Sequence, residues 1–485
     1  MNLPKIIQGG MGVAISDWRL AKAVSQLGQL GVVTGTGVNR VMPSRLMDGD
    51  LGGHVRRALA GFVLPEPVQS IIDRYYTPGG KSPDAPYKTP AAYSINPPKF
   101  LDQLTSIGNF VEVFLAKEGH AGVVGINLLE KLQMPSLASL YGAMLAGVDV
   151  VLMGAGIPTQ VPGILDKLAN HEPVTYRVDV HGTVPEDDFR IHFDPEAIFP
   201  GIAKLVGKLK RPMFLPIISS VVLAKALLKR SEGQVDGFVI EGPTAGGHNA
   251  PPRGAVSLNE KGEPIYGDKD VVDLEQMKKL GLPFWLAGGY GTPQRVQAAL
   301  AAGAAGVQVG TAFSLCDESG MEPELKKRVL RKVLDEEAVV FTSPIVSPTG
   351  FPFKVAQLEG TLSDAEEYEA RERICDLGFL RTVFKKEDGS LGYRCPAEPV
   401  DAFVAKGGNV EDTVGRACLC NTLLASAGFP QRRKDGYVEL PMVTSGDDLV
   451  MAGQFLKAGK TSYSAADVIS YLLGPSWRPS LLPSV

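Results

Sequence analysis

Eight short apolar runs, most of them ending at glycine and each followed by a helical pattern, constrain this chain more than any other feature. They are Lys5–Gln8, Gly31–Thr34, Val123–Asn127, Asp149–Met153, Met213–Ile217, Gly237–Ile240, Phe284–Ala287 and Gly306–Val309. Strands that alternate with helices pair in parallel, because each helix carries the chain back to the same end of the sheet. Eight such units close a barrel, so the expected fold class is an α/β TIM (β/α)8 barrel. The helices carry their own start signals. Ser16-Asp17 precedes Leu20, Ala23, Val24 and Leu27 at helical spacing, and Thr292-Pro293 opens the last barrel helix with a cap residue and then proline.

Two insertions interrupt the repeat. Residues 50 to 119 carry Leu64-Pro-Glu-Pro67, Asn96-Pro-Pro98 and the pair Tyr75-Tyr76, and are too long for an ordinary loop; a helical lid or packing arm is expected there. Val174–Val180 and Asp188–Phe193 alternate across a Gly-bearing turn, which predicts a β-hairpin at about 174–194. The barrel is expected to occupy 1–335. From 336 to 485 the pattern stops, and a C-terminal α+β extension is expected. It would hold an acidic helix at Ser363–Glu372, a hairpin turning at Glu387–Ser390, and helices near Asp447–Lys457 and Ala465–Leu473.

The chain has 485 residues, 53 acidic against 49 basic, and a net charge of −4, so it offers no basic footprint for nucleic acid. The most apolar stretch, Leu137–Ile157, is interrupted by Asp149 and several glycines, and the first residues lack a signal-peptide core. No membrane association and a cytoplasmic location are expected. Four of five cysteines, Cys375, Cys395, Cys418 and Cys420, fall in the last quarter. Such a group suits zinc or an iron–sulfur cluster, but its C-x19-C-x22-C-x-C spacing contains no C-x2-C knuckle. Buried small side chains are the simpler reading, and no metal is expected.

In a barrel of this type the loops after the strands gather on one face. Residues expected on that rim are Gly9-Gly10-Met11, Gly35-Thr-Gly37, Asn127, Gly154-Ala-Gly156, Ser219-Ser220, His248, Gly288-Gly289 and Gly310-Thr311. Glycine lets a flat ring approach backbone, and amides after the last two strands suit a phosphate. Among six histidines only His248 follows a strand end and two glycines; His54, His120, His171, His181 and His192 read as surface or packing groups. No G-x-S-x-G elbow, H-E-x-x-H pair or complete G-x-G-x-x-G fingerprint occurs, which argues against a serine hydrolase, a zinc protease and a Rossmann domain.

Ile7-Gln-Gly-Gly-Met11, Gly125-Ile-Asn127, Glu241-Gly-Pro-Thr-Ala-Gly-Gly-His248, Leu286-Ala-Gly-Gly289 and Val307-Gln-Val-Gly-Thr311 together resemble the nitronate monooxygenase (2-nitropropane dioxygenase-like) family of FMN-dependent barrels. They are similar too to the flavin-dependent enoyl reductases of fatty-acid and polyketide synthases. The resemblance implies FMN as cofactor. Gly10, Met11, Asn127, Gly246 and Gly247 would lie at its ring or ribityl portion, and Gly288, Gly289, Gln308, Val309, Gly310 and Thr311 at its phosphate. Glu241 stands where relatives often carry glutamine, and His248 matches the active-site histidine.

The resemblance implies first an oxidation of alkyl nitronates by O2 to a carbonyl product and nitrite. The alternative is NAD(P)H-dependent reduction of an unsaturated acyl thioester, for which Asn249-Ala-Pro-Pro-Arg-Gly254 is the closer match and a carrier protein a possible partner. A non-enzymatic interaction module on a vestigial barrel is a third reading.

Overall fold

The computed structural model describes residues 3–475 together with 477 and 478. Its centre is an eight-stranded parallel barrel: β1 (Ile6–Gln8), β2 (Gly31–Thr34), β3 (Val124–Leu129), β4 (Val150–Gly154), β5 (Met213–Ile218), β6 (Phe238–Glu241), β7 (Phe284–Ala287) and β8 (Gly306–Val309). Around the ring β1 pairs with β8, and the order runs on through β7, β6, β5, β4 and β3 to β2. A parallel bridge between Ile7 and Leu30 closes it. At that seam side chains supplement the ladder: Gln8 Oε1 accepts from Val32 N at 2.9 Å, and Gln29 Oε1 accepts from Ile6 N at 2.9 Å.

The strand sequences explain why both faces are apolar. Successive residues point to opposite sides of a strand. Ile7, Val32, Leu152, Leu215, Val239 and Trp285 therefore form one cluster that fills the interior. Their neighbours Ile6, Val33, Val151, Phe214, Phe238, Phe284 and Val307 join the larger core beneath the helices. The helix starts follow from capping: Asp17 accepts from Arg19 N at 2.9 Å before Trp18–Gln26, and Thr292 accepts from Arg295 N before Pro293–Ala301. Ser16 does not cap; its hydroxyl accepts from Met11 N at 2.9 Å.

The insertion after β2 is helical, with His54–Ala60, Pro65–Tyr75 and Lys99–Lys117. Lys99–Lys117 belongs to the barrel's own helical layer, being almost wholly buried, and the Asn96-Pro-Pro98 stop that precedes it marks where the insertion ends. The hairpin forms between Val174–Arg177 and Arg190–Phe193. The first run is shorter than its alternation predicts, because Val180–His181 leaves it to pair in parallel with Val383–Phe384 of the later hairpin, Thr382–Lys385 with Leu391–Arg394.

After the barrel, Val340–Ser343 and Phe353–Ala356 pair antiparallel, and Gly247–His248 joins the edge of Phe353–Lys354. Leu424, Val443, Leu449, Phe455 and Leu472 share one continuous core with the barrel's outer face. The helix expected near Asp447–Lys457 is a run of 3-10 turns, Asp447–Phe455. Its start is held by Asp447 N donating to Thr244 O at 3.1 Å, a tertiary tie invisible to sequence periodicity. No helix among the described residues is long and apolar enough to cross a membrane.

Candidate active site at the strand ends

One large cavity opens at the carboxyl ends of the barrel strands. Every site residue singled out above lines it: Gly10 and Met11 after β1, Asn127 on β3, Glu241 ending β6, Gly246, Gly247 and His248 beyond it, Gly288 and Gly289 after β7, Gln308 and Val309 on β8, and Gly310 and Thr311 after it. Five of the rim residues expected beside them do not. Gly35 and Gly37 line a separate small cavity, Gly156 and Ser219 lie off the pocket, and Ser220 caps Val221–Arg230 by accepting from Leu223 N at 3.1 Å. No residue of 50–119 lines the pocket, so that insertion is a packing arm and not a lid over it.

Backbone geometry explains the glycines. Gly288 and Gly289 have φ of +92° and +72°, a left-handed region that side chains disfavour. At Gly246 the constraint is space, since an added Cβ would stand 2.8 Å from Gly446 N and Ser445 C.

His248 is held on three sides. Its backbone lies opposite Phe353 in the short ladder, and its ring meets the Phe353 ring at 4.7 Å and the Phe351 ring at 6.3 Å between centroids. Nε2 is 2.7 Å from Ser347 Oγ, and Ser347 is wholly buried and 2.8 Å from Thr349 Oγ1. That bond leaves Nδ1 as the ring nitrogen available to a bound molecule. Burial pushes the imidazole down to about 4, so it is neutral at physiological pH. The same cause pushes the Glu241 carboxyl up to about 8, so it is mostly protonated there. The other ionisable carboxyl in the lining, Asp448, is also raised by burial, and no lysine or arginine lines the pocket among the described residues.

Three buried polar atoms on these walls have no hydrogen-bond partner: Asn127 Oδ1, Gln308 Oε1 and Thr444 Oγ1. Unpaired buried acceptors and hydroxyls are costly, and here they border a space that a ligand with N–H and O–H groups can fill.

Thr444 belongs to a wall that strand reasoning missed. Met442, Val443, Thr444, Ser445, Gly446 and Asp448 line the cavity from outside the barrel repeat, together with Leu423 and Ser426. The segment is anchored by Ala356 N donating to Val443 O at 2.9 Å and by Gly446 N donating to Thr311 Oγ1 at 3.0 Å. The single cue in the sequence is the short run Pro441-Met-Val-Thr-Ser-Gly446, which ends at glycine but stands outside any strand–helix repeat.

Fold and pocket define a (β/α)8 barrel with a large cavity on the face where that architecture carries its active sites. Residues 203–348, which include β5 to β8, His248 and Ser347, match the nitronate monooxygenase family model, in line with the resemblance of the motifs. A probable nitronate monooxygenase of Bacillus subtilis is 37% identical over 125 residues, covering 26% of this chain and 34% of that protein. A (3aS,4S,5R,7aS)-5-hydroxy-7a-methyl-1-oxo-octahydro-1H-indene-4-carboxyl-CoA dehydrogenase of Mycobacterium tuberculosis is 29% identical over 156 residues, covering 32% of this chain and 39% of that protein. The matched part thus spans little more than a third of these curated relatives. FabK from Thermotoga maritima aligns in structure over 97% of this chain and 91% of its own, with 16% identity and a TM-score of 0.42.

Proposed function

We propose that this chain is an FMN-dependent oxidoreductase, and that its substrate is an uncharged unsaturated acyl thioester reduced at the expense of NAD(P)H. The carrying observation is the pocket's charge: an imidazole and a carboxyl both held neutral by burial, and no lysine or arginine lining the cavity among the described residues. A nitronate is an anion and gains nothing from such walls, least of all beside a flavin phosphate. An enoyl carbonyl needs only a hydrogen-bond donor.

The residues present fit FMN. Asn127 Oδ1 and Gln308 Oε1 supply the unpaired acceptors, and the backbone of Gly10 and of the Gly246–Gly247 turn lines the same cavity. The turn at Gly288–Gly289 precedes the capped start of Pro293–Ala301, where backbone amides favour a phosphate. A protonated Glu241 both donates and accepts, as the glutamine common at this position in the resembling family would. When bound, FMN supplies hydride transfer between the nicotinamide and the β-carbon.

The chain's own part is polarisation and protonation. With Ser347 Oγ–H donating to Nε2, His248 carries its proton on Nδ1 and offers it to the substrate carbonyl oxygen without first becoming charged. Phe351 and Phe353 pack against the ring and hold it in place.

Nitronate oxidation is the second reading, supported by the family match over 203–348 and by the Bacillus subtilis relative. Anaerobic mixing of the flavin-loaded protein separates the two. Rapid bleaching by NADH or NADPH, followed by reoxidation on adding an enoyl thioester, is the expected result; bleaching by an alkyl nitronate alone would transfer the assignment to the second reading.

A further inference from the structure

The place expected for a phosphate holds a carboxyl. Asp448 lines the main cavity beside the two turns assigned to that group. Its Oδ2 stands 3.1 Å from the position a Cβ on Gly291 would take, in the turn after β7. Its Oδ1 and the Thr311 hydroxyl, directly after β8, each lie 2.9 Å from the point where a Cβ on Gly446 would stand. The carboxyl thus bridges the trailing turns of the last two strands. The backbone that carries it is tied to the same two turns and to the loop after β6. Gly446 N donates to Thr311 Oγ1 at 3.0 Å, Asp447 N to Thr244 O at 3.1 Å, and Gln454 Nε2, further along the 3-10 run, to Gly291 O at 3.0 Å.

The charged groups around Asp448 are engaged elsewhere. Its neighbour Asp447 pairs with the buried Lys354 ammonium at 2.7 Å. Arg295 is the cation whose charge reaches Asp448, yet it donates to Gly289 O at 2.8 Å and does not line the cavity. Tyr463, also within electrostatic reach, is kept neutral by burial, and its hydroxyl donates to Ala312 O at 2.8 Å. A carboxylate fixed in such a place repels an arriving phosphate, because little solvent stands between the two charges. A protonated carboxyl instead donates a charge-assisted hydrogen bond to it. Burial already pushes the Asp448 carboxyl up, toward the form that can donate.

On the flavin reading of this cavity, on which the inference rests, we propose that Asp448 is a ligand of the flavin phosphate that binds as the neutral acid: it takes up a proton from solvent as the phosphate enters and donates it in a hydrogen bond to a phosphate oxygen. Binding of FMN is then coupled to uptake of one proton. In the flavin-free protein the carboxyl ionises as pH rises, and each ionised copy must be reprotonated before the phosphate can enter, so FMN affinity falls with rising pH. Riboflavin lacks the phosphate and is indifferent to this carboxyl. The residue comes from outside the barrel repeat, so the segment beyond the barrel takes part in holding the cofactor and does not merely cover it.

Full-length protein stripped of flavin is titrated with FMN and with riboflavin, followed by flavin fluorescence, between about pH 7 and about pH 9, where a phosphate of pKa about 6 is already a dianion. The ratio of the FMN to the riboflavin dissociation constant should climb by up to about tenfold per pH unit. Calorimetry in buffers of different ionisation enthalpy should count one proton more taken up with FMN than with riboflavin. Asp448→Asn keeps Glu241, which titrates in the same cavity, and the phosphate's own titration, so in that variant the climb and the extra proton should both vanish. A ratio independent of pH in wild-type protein, which needs no variant to fold, would overturn the assignment alone, and so would the same climb in Asp448→Asn. Failure of both flavins to bind would overturn the flavin reading and this assignment with it.

Discussion

The two walls of the main pocket are built by different means. The barrel wall is backbone: glycine turns at the ends of β1, β6, β7 and β8, fixed by a parallel ladder buried on both faces. The opposite wall, Met442–Gly446 with Asp448, is an irregular segment held by a few tertiary hydrogen bonds, Ala356 N to Val443 O and Gly446 N to Thr311 Oγ1 among them. A ladder sets position through many cooperative contacts, whereas the segment depends on each of a few. The barrel wall therefore carries the elements that tolerate little displacement, and the other wall is the part free to differ among chains sharing the barrel.

Breaking the chemistry of the barrel wall gives the largest effect. His248→Ala should leave the flavin bound yet slow its reduction or reoxidation by roughly 10²-fold or more, as loss of a positioned acid–base group does. Stopped-flow rates indistinguishable from wild type with every donor and acceptor would remove His248 from the reaction.

Forcing the two walls apart comes next. In Gly246→Ala the new methyl meets Ser445 and Gly446 backbone at 2.8 Å. A cost of about 1–3 kcal/mol in stability, typical of overpacking, is expected together with weaker flavin retention. Gly267→Ala, where nothing lies within 4 Å of the new atom, is the matched control. Equal melting temperatures for the two variants would mean that the walls are not in rigid contact.

Ser347→Ala sharpens the comparison by removing the hydroxyl that orients the histidine, together with its contact to Thr349. One neutral hydrogen bond is worth about 1 kcal/mol, roughly a fivefold rate change, and it should appear in kcat with KM little altered. A matching change in KM would indicate that Ser347 shapes the binding cavity instead.

The net pH dependence is muted over part of its range, because two buried groups oppose each other there. His248, lowered from 6.5 to about 4, makes the fold lose stability as pH falls through that window. Glu241, raised from 4.5 to about 8, makes it lose stability as pH rises through its own. The two offset each other between about 4.5 and 6.5, and above 6.5 Glu241 acts alone. Denaturant titrations should show Glu241→Gln losing less stability than wild type between pH 6.5 and 8; parallel curves would place the carboxyl in water.

The difference between the walls also decided what was legible. Parallel strands covered on both faces read as unbroken apolar runs, so all eight appear in the sequence within a residue or two of their observed bounds. Their trailing glycines led to the barrel half of the pocket. The partner of His248 was not legible, because Ser347 lies 99 positions away and nothing in Ser-Pro-Thr-Gly distinguishes it from an ordinary turn. Thr444 and Asp448 were hidden for the same reason: their place depends on a tertiary bond, not on a repeating pattern. The excursion of Val180–His181 was likewise set by a partner strand some two hundred residues away.

The seam between β1 and β2 gives the ring a mechanical asymmetry. A single bridge, supplemented by the amides of Gln8 and Gln29, fastens the two strands there, while β1 is riveted to β8 over its whole length. A clasp of that kind yields before the rest of the hoop. When it does, Gly9–Met11 stays with the β8 rim and its Gly310 edge, and the mouth widens on the side of Asn127. Deuterium should accordingly reach the amides of Leu30 and Val32 sooner than those of Leu286 and Val307.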